Sequence, residues 1–281
     1  MPDRRAAAAG LVRLGVRVRP EDAEPALAAL LELFPGGLEE TETGGTVELV
    51  AYGEPGALPS EAAVRAALGP ALVDLRRTDV EPGWERAWHA HLRPVDVTAG
   101  GRTVRVRPPW APPHPDPAVL DLPVDPGEAF GAGGHATTRM CLELLLERAP
   151  AGALCDWGAG SGVLALAAAR LGWAPVLALE HDPAALDVLR SNAAAGPVEV
   201  RAHDLASVPP PWAPTVTANL PRALHLHLAA TVERPPRALI ASGLLEAEAG
   251  GVAAAWAARG LRERARRGLE GWASLLLEAR P

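Results

Sequence analysis

The sequence predicts an α/β chain in two parts: a large, doubly wound domain around a seven-stranded sheet and, before it, a small α+β domain. Three observations carry this. Strand-like and helix-like segments alternate from residue 154 onward, the pattern of successive βαβ units. Residues 1–79 follow the order β-α-β-β-α-β, which is that of a ferredoxin-like module. Between a short apolar run and a helical one lies Asp156-Trp157-Gly158-Ala159-Gly160-Ser161-Gly162, a strand-to-helix turn built on three alternate glycines. Such a turn admits unusual φ values, and the helix behind it offers unpaired N–H groups to a ligand.

The totals bound the function. A chain of 281 residues, 48% apolar, can bury a sizeable core. Its two cysteines, Cys141 and Cys155, both lie in apolar runs, so no disulfide framework or metal cluster is expected, and a reducing, cytoplasmic location fits. The N-terminus has no long apolar stretch, and no run approaches the roughly 18 apolar residues of a membrane span. A net charge of −7 argues against a general nucleic-acid binder. The expectation is a monomer with no membrane and no direct nucleic-acid partner. Lysine and glutamine are absent, and only two asparagines occur, so a rare residue type at a motif position stands out.

In the small domain, residues 11–19 put Val12, Leu14, Val16 and Val18 on one side, the period of a half-buried strand. Residues 21–34 change to helical spacing, with Leu27, Leu30, Leu31 and Phe34 on one face and Pro25 in the first turn. Strands near 38–41 and 46–52, a helix from the N-cap Ser60 to Leu68, and a strand over 71–78 complete the module. No catalytic cluster lies in it, which suits a recognition domain. Residues 80–95 are expected to be a helical connector with Trp84 and Trp88 on one face, and 96–281 the large domain. Strands are expected near 102–107 and 119–124.

A glycine-rich loop, Asp125 to Arg139, then runs into a helix expected from Met140 to Arg148 and holds Phe130, His135 and a Thr137-Thr138 pair. Downstream of the glycine turn, strand 176–180 ends in Glu180, the place where a βαβ unit delivers a carboxylate to a ribose. Strand 198–202 ends at His203-Asp204; Asp204 suits either an adenine amine or the capping of its own loop. Strand 214–218 delivers Asn219-Leu220-Pro221 at its C-terminal end, where doubly wound sheets bind ligands. Helices 222–232 and 244–258, a strand over 237–242, and strands 261–266 and 272–279 finish the pattern. The last pair lacks an intervening helix, so one strand is expected to be antiparallel. His225 and His227 have no third ligand at suitable spacing, and metal is not expected. Gly160-Ser161-Gly162 lacks the spacing of a nucleophile elbow. Val163 stands where a dinucleotide fingerprint needs glycine, and the P-loop lysine is missing.

Four stretches together resemble one family, the PrmA-type methyltransferases, which modify the large-subunit ribosomal protein numbered eleven. They are Gly83-Trp84-Glu85-Arg86-Ala87-Trp88 with Leu92-Arg93-Pro94, the loop Pro126 to Arg139, the turn Asp156 to Gly162, and Ala218-Asn219-Leu220. The loop is the most specific, the family pattern being close to P-G-x-A-F-G-T-G-x-H-x-T-T. The resemblance implies a Rossmann-like class I methyltransferase domain, S-adenosylmethionine as cofactor, and a small domain that docks the ribosomal protein. It also implies that Thr138, Gly158, Glu180 and Asn219 contact the cofactor, with Asp156, Gly160, Asp204 and Phe130 as further candidates. Asn219 and Leu220 would hold the reacting amine, a lysine ε-amine or an N-terminal α-amine. Ala132, Glu180, Pro221 and Arg93 depart from the family's usual residues.

Overall fold

The computed structural model describes residues 12–33, 38–43, 45–53, 56, 58–79, 92–127, 133–194 and 196–279. The chain divides into two compact units, residues 1–90 and 91–281. The expected connector helix with Trp84 and Trp88, and Phe130 and Ala132 of the glycine-rich loop, lie outside the described residues.

In the first unit, strands β1 (Val12–Val18), β2 (Glu39–Thr43), β3 (Thr46–Gly53) and β4 (Leu72–Asp79) form an antiparallel sheet in the order β2-β3-β1-β4. Helices α1 (Ala23–Leu33) and α2 (Glu61–Leu68) complete the ferredoxin-like order. Period-two alternation along β1 buries Val12, Leu14, Val16 and Val18 against Leu30 of α1 and Val64 and Leu68 of α2. A 3₁₀ turn, Pro20–Asp22, precedes α1, and the Ser60 hydroxyl caps α2 by accepting from the Ala63 N–H at 3.2 Å.

The second unit opens with a small sheet of β5 (Val95–Ala99), β6 (Arg102–Arg107) and β7 (Leu120–Pro123). β5 is a strand beyond those the sequence predicts, and its first residue, Val95, falls within the expected connector. The main sheet runs β10-β9-β8-β11-β12-β14-β13, from β8 (Leu154–Trp157), β9 (Val176–Glu180), β10 (Val198–Ala202), β11 (Thr215–Asn219), β12 (Ala238–Leu245), β13 (Leu261–Leu269) and β14 (Trp272–Ala279). All pairs are parallel except those made by β14, which is antiparallel to both β12 and β13, so one strand of the last two is indeed reversed. Helices α3 (Ala136–Leu146), α4 (Val163–Leu171), α5 (Pro183–Ala193), α6 (Arg222–Thr231) and α7 (Glu246–Ala257) flank it. The apolar strands are buried on both faces, α3 and α4 packing into one cluster and α6 and α7 into the other. Among the described residues, no helix is long and apolar enough to cross a membrane.

Two boundaries differ from the sequence expectation in ways that matter to the site. α3 begins at Ala136 rather than Met140, because His135 caps it by accepting from the Thr137 N–H; Thr137 and Thr138 therefore sit in its first turn. β12 continues past Gly243 to Leu245 with a register shift after Ala241. Gly243, at φ 80°, lets that bend pass the backbone of Leu220, whose carbonyl oxygen lies 2.5 Å from where a Cβ would be.

Candidate active site

The turn after β8 uses its glycines as glycines. Gly158, Gly160 and Gly162 have φ of 69°, 55° and 85°, the left-handed region that side chains resist. Leu220 fills the space a Gly158 side chain would need, its Cδ2 2.5 Å from the ideal Cβ position, and Leu189 does the same at Gly162 at 2.4 Å. Asp156 lies beneath the turn, only 1% exposed. Its Oδ1 accepts from the Thr217 hydroxyl at 2.6 Å and its Oδ2 from the Ala165 N–H at 3.2 Å. Burial is the main cause that pushes its carboxyl up to about 7. Buried this deeply, Asp156 supports the shape of the turn from within the core.

Glu180 ends β9 and is 7% exposed. Its Oε2 accepts from the Gly160 N–H at 2.9 Å, and its Oε1 from the N–H groups of His181 at 2.7 Å and Asp182 at 3.0 Å. The carboxylate is thus locked to the glycine turn and to its own loop by three backbone donors, with acceptor capacity left for hydroxyl donors such as those of a ribose. Asp204 is exposed and turned to its own loop: its Oδ1 accepts from the Ala206 N–H at 2.9 Å and its Oδ2 from the Ser207 hydroxyl at 2.6 Å. These bonds, the Ser207 one foremost, lower its pKa. Of its two sequence readings, the loop cap is the one with geometry behind it.

Asn219 ends β11 and is half-buried. Its Nδ2 donates to the Thr137 hydroxyl at 3.2 Å, and that hydroxyl lies 2.7 Å from Nδ1 of His135. Because His135 Nδ1 also accepts from the Thr137 N–H, the Thr137 hydroxyl donates to it and the imidazole is neutral at that nitrogen. Burial lowers the His135 pKa, opposed by the charge of Glu270. Trp272 of β14 meets the imidazole edge-on at 5.2 Å. Thr138 is 1% exposed, and its hydroxyl has no hydrogen-bond partner among the described residues. Leaving a buried hydroxyl unsatisfied costs about 1–3 kcal/mol, a cost that a ligand acceptor would remove. Leu220 is 6% exposed; its N–H is spent on the Ser242 carbonyl at 3.0 Å, and its side chain is packing for Gly158.

Ser242, which the sequence did not single out, and His225, which it raised only as a metal ligand and set aside, hold this corner together. The Ser242 carbonyl accepts from Leu220 N–H and from His225 Nε2 at 2.9 Å, and its hydroxyl donates to the Thr137 carbonyl at 3.3 Å and meets the Ser274 hydroxyl. His225 is fully buried, neutral, with a pKa lowered to about 4 by desolvation; it is a strut for Ser242. Among the described residues, no three His, Cys, Asp or Glu side chains cluster to hold a metal. Asn192 of α5 joins the backbone of Asp125 to that of Ser161. Its rarity was the available signal, since the chain's only other asparagine is Asn219.

The chain as a whole is similar to proteins of known family. The family model described as ribosomal protein L11 methyltransferase (PrmA) matches residues 62–280. A ribosomal protein L11 methyltransferase of Pelotomaculum thermopropionicum is 41% identical over 71% of this chain and 67% of its own length. One of Geobacter metallireducens is 38% identical over 63% of this chain and 58% of its own. The match to the Burkholderia ambifaria protein of the same name is longer, at 32% identity over 87% of this chain and 90% of that one. The crystal structure of a ribosomal protein L11 methylase from Lactobacillus delbrueckii subsp. bulgaricus shares the fold, with a TM-score of 0.55 at 24% identity over 63% of this chain and 94% of that chain. With the family model spanning well over half the sequence and a relative aligned over most of both lengths, the chain belongs to the ribosomal protein L11 methyltransferase (PrmA) family.

Proposed function

We propose that the protein transfers methyl groups from S-adenosylmethionine to amines of ribosomal protein L11, chiefly lysine ε-amines and also an N-terminal α-amine. One observation carries this reading: the glycine turn, Glu180 and Asn219 converge at the C-terminal ends of three adjacent parallel strands, β9, β8 and β11, with the buried, unsatisfied Thr138 hydroxyl in the helix start to which Asn219 is bonded through Thr137. An adenosyl cofactor that carries a ribose and an amino-acid carboxylate fits that set of groups. Glu180 would accept the ribose hydroxyls, Gly158 and Gly160 would give the cofactor backbone to lie against, and Thr138 would donate to one of its acceptors.

When bound, the cofactor supplies an electrophilic methyl on a positively charged sulfur. The chain's own part is to present a neutral amine. A free lysine has a pKa of about 10.4, so at pH 7 fewer than about one in a thousand is deprotonated. Burial next to a positive charge lowers that pKa. With its Nδ2 committed to Thr137, Asn219 has its amide oxygen left to accept an N–H of the incoming amine and orient the lone pair. His135, whose Nδ1 is occupied by Thr137, lines the approach without serving as base. The small ferredoxin-like domain is assigned the docking of the ribosomal protein, and a net charge of −7 suits a basic protein acceptor.

Purified ribosomal protein L11 incubated with the enzyme and S-adenosylmethionine should gain mass in whole methyl increments on lysine-containing peptides. Cofactor binding without any increment would point to another acceptor, and no binding at all would overturn the cofactor assignment.

A further inference from the structure

The face of α5 that meets the glycine turn touches two separate backbone segments. Asn192 Nδ2 donates to the Asp125 carbonyl at 2.7 Å and to the Ser161 carbonyl at 2.9 Å, while its Oδ1 accepts from the Asp125 N–H at 3.0 Å. One turn earlier, Val188 occupies the space beside Gly127, its Cγ2 2.6 Å from where a Cβ would stand on that residue at φ 49°, and Leu189 closes on Gly162. The Asp125 carboxylate in turn accepts from the Gly127 N–H at 3.0 Å. One asparagine thus meets both backbone groups of Asp125, as a strand partner would, and ties them to the carbonyl of the turn on which the cofactor is proposed to lie.

We infer that Asn192 is a positioning residue for cofactor binding: it fixes the segment that enters the glycine-rich loop, residues 125–127, against the glycine turn before any ligand arrives. A preformed site avoids the ordering cost that binding would otherwise meet. The inference stands on the S-adenosylmethionine assignment, but it has a reading in the cofactor-free protein as well.

The test compares wild type, Asn192→Ala, Asn192→Asp and Gly127→Ala. In the cofactor-free protein, Asn192→Ala should lose hydrogen-exchange protection at the Asp125 amide, with the strands of the main sheet still protected. Its Kd for S-adenosylhomocysteine by calorimetry should rise about tenfold, the KM for S-adenosylmethionine should follow, and kcat and the KM for the protein acceptor should stay within about threefold, as expected for lost uniform binding. Asn192→Asp keeps the acceptor for the Asp125 N–H but sets an oxygen against two carbonyl oxygens, so it should bind more weakly than the smaller alanine variant. Gly127→Ala displaces the same segment from the Val188 side, and its effect on Kd should be sub-additive with that of Asn192→Ala; it also carries the test if the asparagine variants fail to fold. An unchanged Kd in folded Asn192→Ala, or protection lost across the whole domain with Kd and kcat failing together, would overturn the inference. Wild type that binds neither nucleoside would instead overturn the cofactor assignment, and the exchange measurement would still decide whether Asn192 holds residues 125–127.

Discussion

Glu180 and Asn219 end neighbouring parts of one sheet, yet they are held in opposite ways. Glu180 is fixed by three backbone N–H groups, two from its own loop and one from Gly160. Among the described residues, the Asn219 side chain is bonded to Thr137, which in turn leans on His135 and, through its carbonyl, on Ser242. Backbone donors cannot change rotamer, so the Glu180 side is a rigid seat. A chain of side chains holds its last member only while each link keeps its rotamer, so the amine alignment proposed for Asn219 depends on Thr137, His135 and Ser242 together. On the proposed function, the difference assigns binding to one strand end and turnover to the other.

The sharpest way to break that comparison is Asn219→Ala. Loss of orientation should lower kcat by about 100-fold, with the Kd for S-adenosylmethionine changed by less than about threefold; steady-state kinetics with calorimetry reads both, and equal losses would erase the distinction. Glu180→Ala should do the converse, weakening cofactor binding by about 10- to 100-fold, the scale of hydrogen bonds to a charged group. Glu180→Asp should fall between, since the shorter side chain draws back from the Gly160 N–H.

The smallest effect concerns what lies beneath each seat. His225, under Asn219, has its pKa lowered to about 4, so its contribution to stability is present above the ordinary histidine value of about 6.5 and is lost as pH falls toward 4. Asp156, under the glycine turn, has its pKa raised to about 7, so its contribution is present below the ordinary carboxylate range and is lost as pH rises through 7. The two oppose each other between about pH 4 and 7. His225→Gln should therefore make Tm climb on acidification relative to wild type, and Asp156→Asn should make it drop. Parallel curves for the two variants would contradict this pairing.

What was legible in the sequence was what backbone geometry dictates. Three alternate glycines announce a turn with positive φ, and a polar residue ending an apolar strand announces a ligand-facing position; Gly158, Glu180 and Asn219 follow from those rules. Ser242 also ends an apolar run, Leu239-Ile240-Ala241, but its role could not be read from that position, because its partners are Thr137, 105 positions away, and Ser274. α3 starts earlier than expected although Thr137 and Thr138 are weak helix formers; a histidine cap and the bond from Ser242 to the Thr137 carbonyl offset that preference. Asn192 escaped for the same reason as Ser242, its partner Asp125 lying 67 positions off. Local rules reveal strand ends, and contacts between distant segments reveal their supports.

β14 follows β13 in the chain but lies inside it, between β12 and β13. Trp272 against His135 and Ser274 against Ser242 both come from that inserted strand. The corner around Thr137 and Asn219 is therefore completed by the β13–β14 hairpin, whose second strand is the one that pairs with β12. A chain whose hairpin had not entered the sheet would keep the ends of β8, β9 and β11 and lack the Trp272 and Ser274 contacts at this corner.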